Sequence, residues 1–142
     1  MKPAPRPPAR RRPAVVTWLA AGVLTCAAFY LARLVLSLAL PDLPLSVPEW
    51  YLPLTGAVWG GAALVLGFGL LRGSRRAYRF LFWAVPVYLG WYWADRLLLV
   101  RSDFAQRSLP AALVMSAIAV ALVYLALTRP SVRMYFGERT HG

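Results

Sequence analysis

The sequence has few of the side chains on which catalysis, metal binding and redox chemistry depend. Its 142 residues include one cysteine, one histidine and five acidic residues. Cys26 alone excludes an intramolecular disulfide and any Cys-x-x-Cys motif. His141 is the only histidine, so no bis-histidine haem or metal site and no Ser–His relay is available. We therefore predict that the protein is not an enzyme and carries no cofactor or metal.

Charge is also scarce, whereas apolar residues are abundant. Charged residues make up 15 % of the chain and hydrophobic residues 60 %, and the mean hydropathy is +0.57. Soluble domains are about 45–50 % apolar and about 25 % charged. The sequence therefore predicts an all-α integral membrane protein with four transmembrane helices in a small bundle. The predicted spans cover about 14–40, 51–71, 80–100 and 109–128, each near or above the ~20 residues that cross a bilayer.

The segments outside the spans are short. Residues 1–13 contain five prolines and five basic residues, a composition that predicts a disordered basic N-terminal tail before the membrane domain at 14–128. Residues 129–142 form a short tail in which Val132, Tyr135 and Phe136 have the spacing of one helix face. We expect a short interfacial helix there, ended by Gly137.

The basic residues are distributed unevenly between the two predicted sides. Two of them, Arg101 and Arg107, fall in the predicted outer loops at 41–50 and 101–108. Because Lys and Arg accumulate in cytoplasmic flanks, the pattern predicts a cytoplasmic (inner) membrane location with both termini in the cytoplasm. It also predicts an interaction with anionic lipid headgroups rather than with nucleic acid. The inner side has Lys2, Arg6, Arg10, Arg11, Arg12, Arg72, Arg75, Arg76, Arg79, Arg129, Arg133 and Arg139.

Three ionisable residues lie within the predicted spans, where charge is energetically unfavourable. Counting ~1.5 Å per residue from the inner boundary puts Arg33 and Asp95 at a similar depth in the outer leaflet. We therefore predict an ion pair between them that faces the bundle interior. Arg96 is expected to stack on Tyr92 or to extend outward to lipid phosphate.

Aromatic residues are dense in the third span around Asp95. Tyr88, Trp91 and Asp95 share one helix face, and Tyr92 is next to them in sequence. One interpretation is a proton- or cation-binding carboxylate lined by aromatic side chains. The other is a structural ion pair beside an outer aromatic belt, which interface physics alone explains.

Pro86 also lies inside the third span. A proline there removes one backbone hydrogen bond. We predict that a neighbouring helix or side chain supplies a donor to the freed carbonyl, because lipid contains none.

The second span has a face of small residues formed by Gly56, Gly60, Ala63 and Gly67. Such small-x-x-x-small faces allow two helices to approach closely. The face predicts either packing within the bundle or association with a second copy or another membrane protein.

In size and span count, the chain resembles the small multidrug-resistance transporters, short four-helix proteins that work as dimers around an acidic residue on the first helix. The first span here contains Arg33 and no acid, so the proton-coupling residue of that family has no counterpart. The sequence favours a non-enzymatic accessory or scaffold subunit that acts through helix–helix association. The alternative is a small oligomeric transporter or channel that uses Asp95 and its aromatic neighbours.

Overall fold

A computed structural model describes residues 12–40, 48–98 and 107–137. These residues form five α-helices and no strand: α1 Ala14–Ala39, α2 Tyr51–Leu71, α3 Arg75–Leu98, α4 Leu109–Thr128 and α5 Pro130–Gly137. The all-α prediction is confirmed for this part of the chain. Most of the predicted tail at 1–13 and most of both predicted outer loops lie outside the described residues, as do residues 138–142.

Three of the described helices, α1, α2 and α4, are long and apolar enough to cross a membrane. The third predicted span corresponds to α3, which begins at Arg75 rather than near Phe80. Its first turns contain three arginines, and Asp95 and Arg96 lie near its other end. These charges lower the hydropathy of α3 relative to the other three long helices. The membrane-protein class therefore agrees with the structure, and the fourth crossing stays a prediction.

The helices α1 and α2 pack against each other more extensively than any other described pair. The glycines of α2 make this possible. A Cβ atom added at Gly56 would lie 3.0 Å from the carbonyl oxygen of Tyr30, and one added at Gly67 would lie 2.6 Å from a methyl group of Leu24. A side chain at Gly56 would meet backbone atoms of α1, whereas one at Gly67 would require the Leu24 side chain to move.

The turn between α2 and α3 has the geometry of a Schellman motif. The N–H of Gly73 donates to the carbonyl of Leu70, and the N–H of Ser74 donates to the carbonyl of Gly69. Gly73 adopts φ 66°, a left-handed conformation that glycine enters without steric cost. This turn starts α3 directly after α2 and sets the two helices side by side in opposite directions.

Two tyrosine hydroxyls connect α3 and α4 through backbone carbonyls. Pro86 has no N–H to donate to Phe82, and the hydroxyl of Tyr124 donates to that carbonyl at 3.1 Å. The prediction that a neighbouring helix satisfies the freed carbonyl is thus confirmed. In the other direction, the hydroxyl of Tyr78 donates to the carbonyl of Leu127 in the last turn of α4 at 3.0 Å.

The buried core of the described residues lies at one end of the long helices. It joins the start of α1 and α3, the end of α2 and α4, and one face of α5. The apolar face of α5 packs onto this core: Val132 is 0 % and Phe136 2 % exposed. The short helix expected in this tail is therefore present, and its location at the membrane interface stays a prediction. The buried members are Val16, Ala20, Leu70, Ala77, Leu81, Leu127, Val132 and Phe136.

Candidate functional site

Asp95 lies at the end of the molecule opposite to the buried core, where α2 begins and α3 ends. The hydroxyl of Tyr51 donates a hydrogen bond to Oδ1 of Asp95. Tyr51 itself is only 7 % exposed. Each of the two residues lies 22 positions from Gly73, in the turn that joins α2 to α3. Because both helices rise by the same distance per residue, positions equally far from the turn lie side by side in the antiparallel pair.

Arg33 and Asp95 do not form a salt bridge among the contacts of the described residues. Asp95 instead has the Tyr51 hydroxyl as its partner. The direct pair expected from the sequence is replaced at Asp95 by a hydrogen bond from Tyr51 on the neighbouring helix. A hydroxyl satisfies the carboxylate without the desolvation of a second charge.

Aromatic side chains from α1, α2 and α3 form a cluster next to the Tyr51–Asp95 hydrogen bond. The ring of Tyr51 stacks on Trp91 with centroids 6.2 Å apart. Trp59 contacts Tyr88 edge to face at 5.1 Å and Trp91 at 6.2 Å. The hydroxyls of Tyr30 and Tyr88 form a hydrogen bond of 3.0 Å across α1 and α3. The predicted residues Tyr88 and Trp91 therefore belong to one cluster with Asp95.

Tyr92 and Arg96 make a separate contact. Nη1 of Arg96 donates to the hydroxyl of Tyr92 at 3.2 Å, and Nη2 donates to Oγ of Ser108 at 2.6 Å. The predicted Tyr92–Arg96 neighbours are therefore in contact, through a hydrogen bond from the guanidinium group to the hydroxyl. Ser108 precedes α4 and makes no side-chain cap to that helix. Arg96 thus links the end of α3 to the start of α4.

The predicted helix-packing face lies against α1. Gly56, Gly60 and Gly67 are buried, and the atoms nearest to them belong to Tyr30, Leu34, Leu31 and Leu24 of α1. Ala63 is half-buried between them. Gly61, which neighbours Gly60 but faces away, has no atom within 4 Å of an added Cβ. This supports the first of the two interpretations of the face, packing within one chain.

Sequence reasoning missed the roles of Tyr51, Tyr30 and Trp59. Tyr51 opens the second predicted span, a position where aromatic residues are typical of a membrane interface. Its equal separation from the α2–α3 turn was the signal that paired it with Asp95. Tyr30 and Trp59 gave no comparable signal, because their contacts depend on how α1 and α2 are rotated against α3.

The arrangement is suited to two chemical tasks. A carboxylate that accepts a tyrosine hydroxyl beside aromatic faces can fix three helices together, or it can bind a proton or an organic cation. The described residues contain no group of three His, Cys, Asp or Glu side chains that could hold a metal ion. The chain matches no family model, no curated protein and no solved structure.

Proposed function

We propose that the chain crosses a bacterial-type cytoplasmic membrane four times, with both termini in the cytoplasm. The asymmetry of the basic residues supports this topology, since twelve of sixteen fall on the predicted inner side. Contacts of α3 support its role as the fourth crossing. Near one end Ala77 lies against Gly69 of α2, and near the other Asp95 lies against Tyr51 of the same helix. A helix that accompanies a spanning neighbour at both ends covers the same thickness.

Within that membrane, we propose that the protein is a non-enzymatic accessory or scaffold subunit. The observation that carries this proposal is the exposure of α4. This helix has the highest mean hydropathy of the three candidate spans, 2.3, and only 6 % of its most apolar stretch is buried, against 11 % for α1 and 28 % for α2. The glycine face of α2 is already covered by α1. We therefore propose α4 as the helix that associates with a partner outside this chain.

The outward face of α4 has the features of a packing surface. Ala117 and Ala121 are exposed and four residues apart, with the exposed side chains of Ile118 and Leu125 beside them. Small residues at this spacing let a second helix approach closely. We propose a helix of another membrane protein as the partner, with a second copy of this chain as the alternative occupant.

A photoreactive amino acid at Ala121 tests the proposal in living cells. We expect a discrete protein adduct from this position. The same group at Phe29 is the control, because Phe29 is 77 % exposed on α1 and lies outside the proposed surface. An adduct of twice the chain mass would identify a homo-oligomer. Lipid adducts alone from both positions would contradict association through α4.

A small transporter or channel is the second candidate. It is favoured by the position of Asp95, which is half-buried, bonded to Tyr51 and without a salt bridge among the described residues. The test is proton flux into vesicles reconstituted with the protein, driven by an aromatic cation gradient. Transport predicts flux that Asp95→Asn abolishes and that Asp95→Glu retains in part. Equal proton flux in vesicles with and without the protein would contradict this candidate.

A further inference from the structure

A basic pocket of about 270 Å³ lies between α3 and α5, at the end of the molecule that contains the buried core. Its lining residues are Arg75, Tyr78, Arg79, Arg133, Phe136 and Gly137. Three arginines from two helices therefore line one open concave surface. Arginine presents several N–H donors in a planar fork that matches the oxygens of a phosphate group.

The floor of this pocket is fixed and apolar. The rings of Tyr78 and Phe136 stack with centroids 5.1 Å apart, and Phe136 is buried in the core. The Tyr78 hydroxyl already donates to the carbonyl of Leu127. The arginines are therefore the groups that can bind a ligand. The stacked rings of Tyr78 and Phe136 join α3 to α5 and so position Arg133 opposite α3.

The surroundings of the pocket favour an amphiphile over a soluble anion. Arg75, Arg79 and Trp83 are spaced four residues apart and form one stripe along α3. Trp83 is 69 % exposed, as is Phe80. A ligand whose phosphate reaches the arginines would therefore lay an apolar chain along exposed aromatic rings in the direction of the membrane interior.

We propose that this pocket binds the phosphate headgroup of an anionic membrane lipid, with Arg79 and Arg133 contacting the phosphate oxygens. The general attraction between basic residues and an anionic leaflet does not require a pocket. A specific site does require a pocket, and it predicts that the arginines lining the pocket contribute more to lipid affinity than equally charged neighbours outside it. It rests on the proposed membrane embedding, but it is independent of the accessory role proposed for α4.

The test is lipid binding by the purified full-length chain, measured by native mass spectrometry with phosphatidylglycerol and phosphatidylcholine of the same acyl chains. We expect tighter binding of phosphatidylglycerol. Arg79→Gln should weaken it about tenfold or more, since a charge-assisted hydrogen bond is lost. Arg76→Gln is the matched control, an exposed arginine of the same helix outside the pocket lining. Its loss should not exceed about fivefold, the effect of one charge near the surface.

Further variants keep the test decisive if Arg79→Gln does not fold. Arg79→Lys retains the charge without the planar fork and should give an intermediate loss, and Arg133→Gln should behave like Arg79→Gln. Equal effects of Arg76→Gln and Arg79→Gln would overturn the pocket. Release of bound lipid by an equal concentration of inorganic phosphate would overturn a lipid as its ligand. Extraction of the chain from membranes by alkaline carbonate would instead contradict membrane embedding itself.

Discussion

Asp95 is stabilised in an apolar helix by the hydroxyl of Tyr51. Removing either residue leaves a polar group without its partner, and removing both leaves an apolar contact. We therefore expect Tyr51→Phe and Asp95→Leu to be non-additive, with a coupling free energy of about 0.6–1.7 kcal/mol, the range found for hydrogen bonds between membrane helices. The measurement is the free energy of unfolding in mild detergent for both single variants and the double variant.

Arg33→Gln is the control for this cycle. Because Arg33 forms no salt bridge with Asp95 among the described residues, its coupling to Asp95→Leu should be smaller than that of Tyr51→Phe. A larger coupling for Arg33 would show that the two charges pair directly, as the sequence alone suggested. Depth along the helix was predictable from residue counting. The identity of the partner was not, because a hydroxyl on a neighbouring helix competes with a charge at the same level.

The pairing of α1 with α2 depends on glycines whose Cβ positions are occupied by α1. We expect Gly56→Leu to destabilise the protein by about 1–3 kcal/mol, the usual effect of overpacking, because backbone atoms of Tyr30 and Leu34 lie 3.0–3.2 Å from the added Cβ. Unfolding in detergent measures this effect. The mass of the purified protein should remain unchanged, since the face packs within one chain.

Gly61→Leu provides the matched control on the same helix. Nothing lies within 4 Å of a Cβ at Gly61, so stability should stay the same or rise by up to about 1 kcal/mol from the better helix propensity. If Gly61→Leu were as damaging as Gly56→Leu, the assignment of the buried face would be wrong.

The contact between α3 and α4 has a signature that a double substitution can isolate. Tyr124→Phe should cost about 1 kcal/mol, because the carbonyl of Phe82 loses its donor. In a Pro86→Ala background the cost should fall to near zero, because the restored backbone N–H can donate to that carbonyl. Unfolding measurements on the four chains give both values. An equal cost of Tyr124→Phe in both backgrounds would mean that the hydroxyl does not compensate for the proline.

The bounds of the helices were predictable where the sequence contains clear breaks. The structure has α2 at Tyr51–Leu71 and α4 at Leu109–Thr128, because Gly73 and Pro130 stop helices for local reasons that a sequence displays. The start of α3 was misplaced, since apolarity marks where lipid begins and not where a helix begins. The role of α5 was also out of reach, because its apolar face suits a lipid interface and a protein core equally well.

At the scale of the whole molecule, the two ends of the helix group differ in chemistry. One end joins a compact apolar core to the arginines of α3 and α5. The other holds Asp95 and the tyrosine hydroxyls of Tyr51, Tyr30 and Tyr88. This division follows from the distribution of charge along the chain, with basic residues gathered at every second connection. It is the physical argument for the proposed four-crossing topology.

Labelling of single cysteines with a membrane-impermeant maleimide tests that topology most directly. Cys26 is the only native cysteine, so Cys26→Ser provides a background without thiols. In intact cells, Ser46→Cys and Ser102→Cys should react, whereas Lys2→Cys and Thr140→Cys should react only after the membrane is opened. Labelling of Thr140→Cys from outside together with protection of Lys2→Cys would mean an odd number of crossings and would contradict the account.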